Sequence, residues 1–134
     1  MIKYKKGFKY QLIGDYTTQT SITAGKSIKT EFIELSATGL LTVKNGYAWD
    51  GPSGPTIDTK TFMAGSLCHD ALYQLLRLRL LEPSWRRRAD RELKKICIES
   101  GMNRFRAWYV YNSVKAGGKS AASPESLKVI YTAP

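Results

Sequence analysis

Over the first 45 residues, apolar and polar side chains change places at nearly every step. Three stretches carry the pattern: K-Y-K-K-G-F-K-Y-Q-L-I from Lys3, S-I-T-A-G-K-S-I-K-T-E-F-I-E-L from Ser21, and L-L-T-V-K-N-G-Y from Leu40. Their β-branched and aromatic residues in rough alternation match strands with one face on a core. Gly14-Asp15, Ala24-Gly25, Thr38-Gly39 and Asn45-Gly46 supply turn chemistry along this region. The pattern predicts three or four antiparallel strands.

The period changes after a short break. Residues 47–58, Y-A-W-D-G-P-S-G-P-T-I-D, hold two glycines, two prolines and two aspartates and read as a stiff loop, with Asp58 or Thr59 as helix N-cap. From Thr59 to Leu81 the apolar spacing is helical and sets Phe62, Ser66, His69, Tyr73 and Leu76 along one face. Pro83 stops this helix near Leu80 to Glu82, and Ser84 is the expected N-cap of the next. That second helix carries Ala89, Leu93, Ile96, Cys97 and Ser100 on its apolar stripe, with Asp90 at the edge and Arg87, Arg91, Glu92, Lys94 and Lys95 elsewhere. A third helix is expected from about Asn103 to Ala116, ending at Gly117-Gly118. Its R-F-R-A-W-Y-V-Y run reads as core aromatics with solvated arginines rather than a base-stacking platform. The Ser/Ala/Pro-rich tail holds one strand-like run, L-K-V-I-Y.

The fold class that follows is α+β: N-terminal antiparallel strands packed against a C-terminal three-helix core. One domain of 134 residues is expected, divided into a β-rich part (1–46), the loop (47–58), three helices (59–118) and a tail (119–134). A hydrophobic content of 43% with 24% charge excludes wholesale disorder, and no apolar run approaches the roughly 20 residues of a membrane span. The basic N-terminus lacks an apolar signal core, so export by a cleaved signal is not expected. Cys68 and Cys97 have no metal-type spacing and are expected as reduced, buried thiols. The net charge of +10 is uneven: residues 1–60 hold 8 Lys against 5 acids, and residues 61–134 hold 13 Lys or Arg against 6. Such a balance admits nucleic acid or an anionic surface as partner. A-G-K-S at 24–27 lacks the earlier glycine of a phosphate-binding loop, since Thr20 stands there.

The candidate chemistry gathers around His69, the only histidine. Two antiparallel helices joined by a short turn at Glu82-Pro83 would bring Asp90 beside His69 or Tyr73. A carboxylate that holds the tautomer and steadies the imidazolium makes a histidine an effective general base. Asp70 points well around the helix from His69 and is better suited, with Asp50 of the loop, to an oxygen-preferring cation such as calcium.

The H-D-A-L-Y run, with the Gly/Pro/Asp loop before it and R-R-A-D-R-E-L after it, resembles the core of the secreted, calcium-dependent phospholipases of the His-Asp type. The resemblance implies His69 as the base that activates water, Asp70 as a calcium carboxylate, and Tyr73 and Asp90 as the pair bonded around the histidine. Gly46, Gly51 and Gly54 would stand near the carbonyl ligands of calcium. The paired cysteines of that family are missing here, and the glycine spacing of its calcium loop differs. A second resemblance spans about residues 40–118. Gly46 to Ser53, His69 to Tyr73, Arg88-Ala89-Asp90 and Trp108 to Gly118 are similar, in order and spacing, to a family of small phage- and prophage-encoded proteins of uncharacterised function. That likeness implies a phage context, with the host cytoplasm or the virion as location, and no particular reaction. Three expectations stand side by side: a hydrolase acting on a lipid or cell-wall ester or amide; a virion or tail accessory protein in which Asp50, Ser53, His69 and Asp90 lock the loop to the helices; and a basic module that binds a host factor or nucleic acid.

Overall fold

Turn glycines cut the alternating N-terminal stretches short. Gly14, Gly25, Gly39 and Gly46 all have positive φ, and the strands between them are two to four residues long. Among the described residues seven strands therefore stand where three or four were expected: β1 (Lys3–Lys5), β2 (Tyr10–Ile13), β3 (Tyr16–Gln19), β4 (Ile28–Lys29), β5 (Ile33–Leu35), β6 (Leu40–Val43) and β7 (Ala48–Trp49). The computed structural model describes residues 3–5, 10–49 and 60–122. Three helices follow the strands, α1 (Lys60–Arg77), α2 (Arg86–Glu99) and α3 (Arg104–Ala121), so the fold is α+β. The strands belong to one compact unit and the helices to another.

The strands make two antiparallel sheets, ordered β1-β2-β7 and β3-β6-β5-β4. Leu12, Ile33, Leu35, Leu41, Val43 and Trp49 of these strands, with Ile22 of a connecting loop, are at most 2% exposed. Gly39 shows why one turn tolerates no other residue. Its φ is +95°, and a Cβ there would meet the Thr20 carbonyl oxygen at 2.5 Å. That approach lets the Thr20 amide and hydroxyl both donate to the Gly39 carbonyl, at 2.8 and 2.7 Å.

In the helical unit, α1 is buried on nearly every side, from Phe62 through Leu76. It ends at Arg77, short of the expected Leu80 to Glu82, because Arg79 turns to a left-handed φ of 60°. The Leu80 and Leu81 amides then fold back to the Leu75 carbonyl. Ser84 does not cap α2: Pro83 opens a tight 3-10 turn through Trp85, and Trp85 takes the cap position without a side-chain bond. The α2 core face holds Ala89, Asp90, Glu92, Leu93, Ile96 and Cys97, while Ser100 is exposed. Glu92 is thus interior, contrary to its expected place; Lys95 reaches toward it at 4.0 Å. α3 runs through Gly117-Gly118 instead of stopping there. Its core stripe is Ala107 and Val110, with Val114 packed beside them, so the aromatic run faces outward: Phe105, Trp108 and Tyr109 are 77%, 52% and 64% exposed. Three of the four aromatics expected in the core are thus surface residues, and the fourth, Tyr111, is half-buried. Among the described residues, no helix is long and apolar enough to cross a membrane.

At Gly65 α1 and α2 come into close contact. A Cβ at this position would lie 2.7 Å from Cys97 Sγ, 2.9 Å from Leu93 Cδ1 and 3.2 Å from the Leu93 carbonyl oxygen. Gly117, in contrast, has nothing within 4 Å. Gly65→Ala is expected to destabilise the fold by about 1–3 kcal/mol through overpacking, less part of the helix-propensity gain of alanine. Gly117→Ala, which makes only the gain, is expected to stabilise by up to about 1 kcal/mol. Urea unfolding followed by circular dichroism checks both, and a shift of the same sign in the two variants would remove the contact at Gly65 as the reason.

Candidate functional site

The spacing from Gly65 carries the site with it. One turn beyond Gly65 on α1 stands His69, and one turn before Leu93 on α2 stands Asp90. Antiparallel helices advance in opposite directions, so equal steps from one contact bring the two residues face to face. His69 Nε2 lies 2.7 Å from Asp90 Oδ1, and Tyr73, a turn further along α1, donates its hydroxyl to the same oxygen at 2.6 Å. The His69 and Tyr73 rings rest on each other with centroids 4.1 Å apart at 33°. This stack fixes the imidazole rotation about its own axis. His69, Tyr73 and Asp90, singled out together in the sequence, are together in space.

Burial divides their duties. Asp90 is fully enclosed and Tyr73 is 2% exposed, whereas the His69 side chain keeps 15% of its surface open. A carboxylate only accepts hydrogen bonds, so Nε2 carries the hydrogen toward Asp90 and the lone pair sits on Nδ1. Nδ1 has no hydrogen-bond partner among the described residues. Burial, then the bond to Asp90 and that residue's charge, push the Tyr73 phenol well above its usual range, against the opposing pull of Arg86. Tyr73 therefore remains a hydrogen donor at every physiological pH. The imidazole thus has one side anchored to a buried anion and the other open to accept a proton.

Arg86 is the member that sequence reasoning missed. It lies one turn before Asp90 on α2, close enough to act on Tyr73. Its Nη1 is buried without a hydrogen-bond partner, as is Asp90 Oδ2. The i−4 spacing from Asp90 was the available signal, hidden within a run of three arginines.

The cation half of the site is thinner. Asp70 is half-buried on α1. Asp50, Gly51, Ser53 and Gly54, like the cap candidates Asp58 and Thr59, lie outside the described residues. Gly46 is a turn residue of the β unit; its amide donates to the Leu12 carbonyl at 2.8 Å, and its own carbonyl accepts from Gln11 Nε2. Among the described residues, no three His, Cys, Asp or Glu side chains converge on a metal position. Among the described residues Asp70 is the one expected calcium carboxylate, and a single carboxylate does not make a calcium site. A concavity of about 310 Å³ on α2 is lined by Arg91, Lys94, Lys95, Ile98 and Glu99 and includes none of His69, Tyr73 or Asp90.

Cys68 precedes His69 but faces the interior. Both cysteines are free and buried. Burial is the main cause that pushes the Cys68 thiol far up, and it pushes Cys97 up to about 12 from an ordinary 9.0. Neither supplies a thiolate nucleophile. A thiol reagent at pH 8 is expected to leave both unmodified in the native protein and to label both after unfolding. In the unfolded chain the thiols ionise near 9.0, so above that pH the folded state holds more protons. Stability is expected to fall as the pH rises from about 9 toward 12, in the same direction for Tyr73. Urea midpoints measured at pH 8, 9 and 10 check the sign. A constant midpoint would mean the thiols ionise equally in both states.

No protein-family model matches the chain, and neither a curated protein nor a solved structure is detectably similar to it.

Proposed function

We propose that the protein is a hydrolase of carboxylic esters or amides of lipid or cell-wall type, serving as an accessory protein of a phage. His69 is its general base, and Asp90 and Tyr73 are the groups that position it. The supporting observation is the 2.7 Å bond between His69 Nε2 and a fully buried carboxylate, on a ring that still reaches solvent. In this reading Nδ1 takes a proton from a water molecule as that water attacks the substrate carbonyl. The imidazolium that forms is stabilised by Asp90, and it returns the proton to the leaving oxygen or nitrogen when the tetrahedral intermediate collapses. The phage context is supported by the order of Gly46 to Ser53, His69 to Tyr73, Arg88 to Asp90 and Trp108 to Gly118 along the chain.

A second reading has its own supporting observation. Two side chains of α1 donate to one oxygen of α2 inside the core, which is also how a purely structural clamp would be built. A non-enzymatic virion or tail protein needs no more than this.

Hydrolysis of p-nitrophenyl acyl esters and of phosphatidylglycerol, with release of fatty acid as readout, separates the two. Under the first reading wild type turns over, and His69→Gln, whose amide can still donate toward Asp90, lowers kcat by about 10²–10⁴-fold while the protein still folds cooperatively. Asp90→Asn costs a comparable factor in kcat, because it permits the wrong tautomer. Tyr73→Phe keeps most of the rate while losing about 1–2 kcal/mol of stability. An inert wild type whose His69→Ala variant fails to fold would instead establish the clamp.

A further inference from the structure

We infer that the outer face of α3 is a docking surface for an anionic lipid bilayer. The helix has two sides of different chemistry. Ala107, Val110 and Val114 hold it to α2 and to Met102. Counting 3.6 residues per turn, Phe105, Trp108, Tyr109 and Asn112 fall opposite that stripe. Three large aromatic side chains there are more than half exposed. A soluble surface rarely gathers three such groups within five residues unless something covers them.

The polar residues of the same face are turned inward on the helix itself. Asn112 Nδ2 donates to the Trp108 carbonyl at 2.8 Å, and Ser113 Oγ donates to the Tyr109 carbonyl at 3.0 Å. The Ser113 hydroxyl and one N–H of the Asn112 amide are thereby satisfied without water, which lowers part of the cost of bringing the face against an apolar phase. Cations flank the ridge. Arg104 is exposed at its start, Arg106 is half-buried on the other side, and Lys115 and Lys94 both lie within 6 Å of the Tyr111 ring, at 5.9 and 5.6 Å. No acidic residue occurs anywhere between Arg104 and Ala121. Aromatic rings at the depth of the acyl boundary, with basic side chains at the level of the headgroups, are the pattern of an interfacial helix.

The shape selects lipid over a single nucleic-acid strand. A strand is held in a basic groove with ring faces open for successive bases. Here the rings project from the outer side of a single helix and line no groove, and Phe105 and Trp108 stand side by side, tilted at 33° with centroids 6.2 Å apart. A ridge of this kind enters a planar interface. The inference does not rest on the His69 chemistry.

The test uses the full chain and sedimentation with vesicles of phosphatidylcholine containing none or roughly 30 mol% phosphatidylglycerol. The protein is expected to partition onto the anionic vesicles alone, and about tenfold more weakly when sodium chloride is raised to roughly 0.5 M. The double variant F105S/W108S, which alters only exposed positions, is expected to lose about a hundredfold in partitioning with an unchanged melting temperature. Lipids brominated on the acyl chain are expected to quench part of the tryptophan emission in wild type, and not that part in Trp108→Phe, which still binds. Binding that survives in F105S/W108S, equal partitioning onto neutral vesicles, no partitioning at all, self-association that shields Trp108 without lipid, or oligothymidylate displacing the vesicles through the same two residues would each overturn the inference.

Discussion

The approach of α1 to α2 at Gly65 governs the helical unit. With hydrogen in place of a methyl group, the two backbones come near enough for Leu93 and Cys97 to pack directly against α1. Every residue pairing along the seam follows from that contact and from the antiparallel sense of the helices. His69 meets Asp90 because each is one turn from it, and Tyr73 meets the same carboxylate because it is one turn further. A looser seam would lengthen a 2.7 Å bond that has no slack.

Asp90 makes that seam costly to disturb. A carboxylate taken wholly out of water is tolerated only if its neighbours satisfy it, and removing one partner of such a group is far more damaging than removing an exposed ion pair. Oδ1 collects both donors of α1, while Oδ2 has none. The arrangement therefore polarises the imidazole strongly along one direction. Catalysis and stability draw here on the same carboxylate, which is why kinetic and unfolding measurements have to be read together at these positions.

The third helix obeys a different constraint. Its narrow inward stripe of small and β-branched residues, Ala107, Val110 and Val114, packs against Leu93 and Cys97 of α2 and Phe62 of α1. The aromatics are displaced to the opposite side, where arginine and lysine border them. An apolar ridge edged with cations is a surface of mixed character that neither water nor a wholly hydrocarbon phase suits well.

By itself the sequence determined the fold class, the existence of three helices after a β-rich start, the turn positions at Gly14, Gly25, Gly39 and Gly46, and the proximity of His69, Tyr73 and Asp90. All of these depend on local periodicity or on a short connection between two helices, and so can be counted along the chain. Tertiary structure decided the rest. Whether Phe105, Trp108 and Tyr109 point in or out depends on which side of α3 finds a partner, and a stripe of small residues won because α2 lies close. Glu92 became interior and Arg86, itself half-buried, had its Nη1 enclosed by the packing of the helices, which no property of α2 alone announces. The end of α1 at Arg77 was set by Arg79 entering a left-handed conformation that composition does not favour. Gly65 is the sharpest case: as a letter it is a weak helix former, and only the neighbouring helix gives it a reason to be there.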